Sequence, residues 1–241
     1  MTPTVPAWLL YACRTPYALE VAEVIWRRGE EVALLVDNLA DGGGQAGGGA
    51  STEIGAPVVG SGELSPAQRR LAVAVPLITP GHRFAVESEA RALGLSSFPA
   101  LVDPTATVAR TATLGEGCVV NAGAVLAAAT SAGRFVHVNR SASVGHHNEI
   151  GDYATLGPGC LLAGSVRVGR GAFVGAGAVC APGVAVGPNS VVGAGAVVVA
   201  DVPPRAVVVG NPARVMREDG GGYGGAVVPA TDAGAEWEGS S

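Results

Sequence analysis

The sequence predicts a small α/β domain over residues 1–99, a solenoid of short parallel strands over 100–216, and a disordered tail over 217–241. Three observations carry this. Apolar residues recur at every sixth position without a slip from Val102 to Pro203, giving seventeen hexads. The segment before them alternates strand and helix signals. The segment from about Glu218 is Gly-rich with scattered acids, a composition that builds no core.

Trp8 to Ala12 reads as a buried strand. Thr15-Pro16 then offers a helix cap and a proline at the first helical position. Ala18, Val21, Val24 and Ile25 recur at helical spacing until Arg28 and Gly29. Val32 to Val36 is a second strand, ending at Asp37, and Gly42 to Gly49 reads as a flexible loop. Leu71 to Val75 is a further strand. Thr79-Pro80 starts the next helix, Phe84 to Leu93, which Gly94 stops. This β-α-β order places the strands in one parallel sheet.

In the repeats, the lead position holds a large apolar residue, as at Val102, Val108, Leu114, Val120 and Leu126. Four residues on sits a small one, as at Ala106, Ala112, Cys118 and Ala124. Gly often follows the lead, as at Gly145, Gly151 and Gly157, where the backbone must turn. Three hexads make an 18-residue triangular coil. At about 4.8 Å per stacked strand, the prism stands roughly 27 Å tall.

Charged residues are 15% of the chain and the net charge is -5, which argues against a nucleic-acid surface. Every cation is Arg; there is no Lys. Cys118, Cys160 and Cys180 fall on inward repeat positions, and with Cys13 they form neither a metal-ligand spacing nor a secreted scaffold. No signal peptide and no membrane span is read from the sequence, and a reducing cytoplasm is expected.

A prism of Val, Ala and Gly has little chemistry, so its polar exceptions matter. They are His137, Asn139, His146, His147 and Asn148. A His near neutral pKa can take a proton from an attacking amine or hydroxyl. A zinc shared by histidines across a trimer, as in gamma-class carbonic anhydrases, needs histidines at coil multiples. His137, His146 and His147 differ by 9, 10 and 1 positions, so no metal is expected.

The run Asn139-Arg-Ser-Ala-Ser-Val-Gly-His-His-Asn-Glu-Ile-Gly-Asp152, with Leu162 to Gly169 and Val208-Val-Gly-Asn-Pro-Ala-Arg214, resembles bacterial sugar acyltransferases. The relevant type is the sialic acid O-acetyltransferase and UDP-bacillosamine N-acetyltransferase family. The resemblance implies a Rossmann-like N-terminal domain followed by a left-handed parallel β-helix. It implies a homotrimer that uses acetyl-CoA and no metal to modify a hydroxyl or amine of a sugar or nucleotide-linked sugar. It implies His146 as catalytic base, with His147 where relatives often carry an acid that orients the base. Glu149 and Asp152 are possible substitutes for that acid. Gly164, one coil above His146, is implied to offer its amide to the thioester oxygen. Thr155 stands where a second His is common, and Arg167, Arg170 and Arg214 are the candidate cations for coenzyme A.

Relatives of the nucleotide-sugar type carry a Gly-rich loop after the first strand. Here it reads Ala12-Cys13-Arg14-Thr15-Pro16-Tyr17, with no Gly. A helix start with Arg14 beside it can still hold an anion, and Asp37 could meet a ribose or base. Arg14, Asp37 and Asn139 are therefore the candidate acceptor contacts. A non-catalytic scaffold and a prism-borne metal lyase are the rival readings; a thiol-release assay and metal analysis discriminate them.

Overall fold

The computed structural model describes residues 6–38 and 50–230. The expected loop over Gly42 to Gly49 lies outside the described residues.

The N-terminal part opens with β1 (Ala7–Tyr11), α1 (Tyr17–Arg27) and β2 (Glu31–Asp37). It continues through α2 (Ala50–Ile54), β3 (Val58–Gly60), β4 (Ala72–Ala74) and α3 (Pro80–Ala92). The four strands form one parallel sheet in the order β3-β2-β1-β4. Val21, Val24 and Ile25 of α1 are fully buried against it, as their spacing requires. Pro80 occupies the start of α3, and Gly94 ends that helix with φ +84°. α2 and β3 were not read from the sequence: at five and three residues they are too short to show a periodic face.

The solenoid follows the hexads residue for residue. Two-residue strands begin with β5 (Leu101–Val102) and recur every six residues to β21 (Val197–Val198), seventeen in all. Each pairs in parallel with the strand one coil on, as Ser131 with Glu149 and His137 with Thr155. The result is a left-handed type of parallel β-solenoid of about six turns, with three sheets as its faces. The lead residues and Cys118, Cys160 and Cys180 fill the interior, and all four cysteines are free. The sheet containing His137, Thr155 and Phe173 is extended at its top by β22 (Val207–Val209) and antiparallel β23 (Arg214–Arg217).

The N-terminal domain docks on that same sheet and on one corner of the prism. Phe135 and Tyr153 stand one coil apart at this corner, where other coils carry Gly171 or Asn189. Their rings stack at 5.6 Å, and Phe84 of α3 and Phe98 meet them edge-on. Arg83 of α3 is the latch. It is fully buried and donates to the carbonyls of Phe135 and Tyr153 at 2.8 and 2.6 Å and to Thr155 Oγ1 at 3.0 Å. Its guanidinium has no carboxylate among these partners, and burial lowers its pKa to about 9.

The tail was expected to be disordered from 217; its described residues 218–230 run back along the prism as a strap. Tyr223 stacks on Phe173, and Val228 is buried between Phe135, Tyr153 and α3 residues in one core. Asn189 holds Val228 through two backbone bonds of 2.8 and 3.0 Å, and Arg170 donates to the Pro229 carbonyl. Gly81 is needed here, because a Cβ would sit 2.6 Å from the Ala226 backbone. Val228, buried where the adjacent Val227 is exposed, anchors a segment whose average composition reads as disordered. Only 231–241 of the tail lies outside the described residues.

Candidate active site

One prism corner carries Gly145, His146 and His147 and, a coil above, Ala163, Gly164 and Ser165. His147 adopts φ +57°, a turn conformation that recurs every six residues from Gly117 to Gly195. Both imidazoles are exposed, and their Nδ1 atoms lie 3.0 Å apart, so one donates to the other. Asn148 is buried and fixes the turn: its amide donates to the carbonyls of Gly145 and Ala163, and its Oδ1 accepts the Val166 N–H. The His146 ring lies against Gly164. A Cβ there would meet Cε1 at 2.5 Å and Nε2 at 2.7 Å. Among the described residues no backbone hydrogen bond engages the Gly164 N–H. An exposed imidazole Nε2 and an uncommitted amide therefore share one small patch.

A second feature lies one face away. A cavity of about 460 Å³ opens between the N-terminal domain and the neighbouring corner. Thr15, Pro16, Tyr17 and Ile78 line one side, and Asn139, Thr155, Pro158 and Phe173 line the other. Its two lining charges, Glu20 and Arg140, pair at 2.8 Å. Arg14 and Asp37 pair at 2.5 Å beyond it, on the loop after β1 and at the end of β2. In that loop Ala12 takes φ +68°, a value that suits Gly, and the N–H groups of Ala12 and Cys13 both donate to the Val36 carbonyl. The backbone there is turned inward rather than laid open as an anion cradle.

The structure thus divides the sequence candidates. It brings His146, His147 and Gly164 together. It gathers Asn139 and Thr155 in the cavity, with Arg14 and Asp37 nearby as a mutual pair. Thr155 was expected with the cosubstrate; here its hydroxyl is buried, donating to the Ile78 carbonyl and accepting from Arg83. Asp152, a possible partner of the base, instead pairs with Arg170 at 2.9 Å on the corner beneath α3. That contact and Pro229 also engage Arg170, a candidate for coenzyme A. Glu149 is exposed and pairs in register with Arg167 on the face beyond His146, and Arg214 is exposed at the top of the prism. His137 leaves the polar cluster altogether. It is fully buried under Tyr17, and burial, aided by the charge of Arg83, holds its pKa well below 6.5. Among the described residues no group of three His, Cys, Asp or Glu side chains could hold a metal ion.

Sequence reasoning missed Arg83, Tyr17 and the strap. A usable signal existed for the docking corner: Phe135 and Tyr153 are aromatic at the same coil position, 18 residues apart, where a solvated corner carries small or polar residues.

An exposed histidine on a hexad corner, above a Val-and-Ala interior, is an arrangement that suits a transferase of the hexapeptide-repeat class, and the family and structural matches agree. The model of the bacterial transferase hexapeptide family (six repeats) matches residues 149–182. A perosamine N-acetyltransferase from Caulobacter crescentus, solved with CoA and GDP-perosamine, is 32% identical, with TM-score 0.77. The match covers 89% of this chain and 98% of that one. The acetyltransferase domain of PglB from Neisseria gonorrhoeae, solved with acetyl coenzyme A, is 31% identical over 88% of this chain and 98% of that one, with TM-score 0.72. WeeI from Acinetobacter baumannii, 24% identical over 88% and 100% with TM-score 0.73, shares the fold. No curated protein matches the sequence. The chain belongs to the hexapeptide-repeat sugar acyltransferases, the family that its central run resembles.

Proposed function

We propose that the chain transfers an acetyl group from acetyl-CoA to an amine or hydroxyl of a sugar, free or nucleotide-linked, with His146 as general base. The observation that carries this is the corner where the His146 imidazole lies on Gly164. Nε2 takes the acceptor proton while Nδ1–H donates to Nδ1 of His147, which orients the ring as a neutral partner. The acceptor attacks the thioester carbonyl, its oxygen settles on the Gly164 N–H, and the thiolate leaves with the proton from His146. Arg167 and Arg214 are the cations for coenzyme A. The C. crescentus and N. gonorrhoeae proteins, solved with CoA and acetyl coenzyme A, support this cosubstrate.

The acceptor occupies the cavity beside Tyr17 and Asn139, with Arg14 and Asp37 toward its outer end. The strand order β3-β2-β1-β4 supports a Rossmann-like reading of this domain. In one chain the cavity and His146 lie on different corners, so the site is completed by a second copy. The outward residues Val125, Leu161, Val179 and Val197, interrupted by Ser143, make the face between those corners largely apolar, and three such faces close a homotrimer. Acetyl-CoA and four free thiols fit the cytoplasm. Among the described residues no helix is long and apolar enough to cross a membrane.

The test is thiol release from acetyl-CoA with GDP-perosamine, UDP-linked amino sugars and free amino sugars, alongside sedimentation. Release with one of them by a trimer is expected; no release with any removes the reading.

A further inference from the structure

His137 is the one buried side chain among the described residues whose polar atoms have no hydrogen-bond partner. Neither Nδ1 nor Nε2 makes a well-formed hydrogen bond, although the ring is fully buried; the Val75 backbone interacts with the imidazole and pulls its pKa up, against the stronger lowering by burial and by Arg83. Native interiors satisfy such groups, because a buried polar atom left unpaired keeps its desolvation cost uncompensated. Nothing in the solenoid demands a histidine here, since Val119 holds the same outward position one coil below.

What surrounds the ring points to a use. Tyr17 covers it, with ring centroids 5.7 Å apart, and Tyr17 also lines the cavity. Thr155, the in-register neighbour of His137, lines the cavity too, as does Asn139 two residues on. Tyr17 thus touches both the imidazole and the cavity. That side chain is the first residue of α1, and its hydroxyl is held by Asn121 Nδ2 at 2.5 Å. Asn121 Nδ2 in turn lies 3.4 Å from Asn139 Oδ1. The polar groups that Tyr17 screens form one contiguous set.

We propose that His137 is a specificity-determining residue of the acceptor site. When Tyr17 swings away, His137 and Asn121 become the inner end of the cavity and bind a hydroxyl of the acceptor. The groups around His137 are Tyr17, Arg83, the Val75 backbone and the in-register residue Thr155, and none is an acid that would make it a cation. A neutral imidazole presents one donor and one acceptor, which matches a hydroxyl, itself both donor and acceptor. A phosphate would leave the acceptor nitrogen facing an anion, and an ammonium would leave the N–H facing a cation. The naming of the acceptor as a sugar rests on the acyltransferase reading; the gated imidazole does not.

Two measurements on the full chain test this. In the first, diethyl pyrocarbonate is added and carbethoxylation of each histidine is followed by mass spectrometry, which needs no turnover. In the wild type, His137 should react far more slowly than exposed His146. Tyr17→Ala should bring the two rates together. Tyr17→Phe, which keeps the ring and loses the bond to Asn121, should give an intermediate rate and serves if the alanine variant misfolds, with coenzyme A binding as the fold control. If His137 stays unreactive in a folded Tyr17 variant, the gate does not exist. In the second, His137→Phe should raise KM about tenfold for whichever sugar of the panel is turned over, with kcat and the acetyl-CoA KM nearly unchanged. His137→Gln, with its own donor and acceptor, should recover part of the loss. An unchanged sugar KM in His137→Phe makes His137 a packing residue and overturns the proposal. If no sugar is turned over, the acyltransferase reading falls, and the carbethoxylation result alone decides whether the gated site stands.

Discussion

Gly164→Ala separates the chemistry of the corner from its stability. The added methyl would lie 2.5 Å from Cε1 and 2.7 Å from Nε2 of His146, and the three nearest atoms all belong to that imidazole. Ordinary contact needs about 3.5 Å or more, so the ring must retreat by roughly 1 Å. His146 is exposed and can turn, and Gly164 does not need a left-handed backbone, so folding tolerates the change. Restricting the unfolded chain even favours alanine by about 0.4–1 kcal/mol. The melting temperature should therefore hold or rise slightly. The rate should not, because moving a reacting group by about 1 Å costs on the order of 10²-fold. The assay is thiol release at saturating acetyl-CoA, paired with a thermal melt. Activity within threefold of wild type would show that this His146 rotamer is not the working one. A lower melting temperature would show that the methyl met backbone instead of the ring.

His146→Ala should cut kcat by about 10²- to 10⁴-fold while leaving the melting temperature and coenzyme A affinity in place. His147→Ala should cost about tenfold or less, since it orients a neutral ring; a larger loss there than at His146 would reassign the base. Val228→Ala should destabilise by about 2 kcal/mol, seen in urea denaturation, because the strap loses the buried side chain that holds it to the docking corner. Below pH 6.5 the unfolded chain binds a proton on His137 that the folded chain refuses, so this residue makes stability fall as pH drops. The urea midpoints of wild type and His137→Phe should therefore diverge between pH 7.5 and pH 5, the wild type losing more stability.

The prism was legible in the sequence because each coil repeats one physical requirement. A large residue goes inward, a small one fits the bend, and contacts run between nearest neighbours only. A period of six therefore carries the whole architecture, down to strand register. β1, α1, β2, β4 and α3 were legible for a similar reason, each burying a face with its own periodicity. The His146 and Gly164 pairing followed from counting 18 residues. What could not be read was contact between the two parts. Arg83 looks like one more surface cation of a mixed helix, and only the docked corner turns it into a buried donor. His137 and His146 are the same residue type nine positions apart, yet one lies under a domain and the other faces solvent. Val228 lost its meaning for a parallel reason, because its partners Asn189 and Gly171 are distant along the chain.

The strand register has a consequence for how such a molecule can change length. An insertion or deletion of 18 residues between coils shifts everything above it by about 4.8 Å along the axis and rotates nothing. Six residues would instead turn every later corner onto the next face, carrying β22 and β23 away from the sheet they now extend. The solenoid therefore behaves as a ruler with coarse graduations. Its upper end, with Arg214, can move nearer to or farther from His146 in whole steps, so the span available to an elongated cosubstrate is quantised while the geometry at the base is untouched.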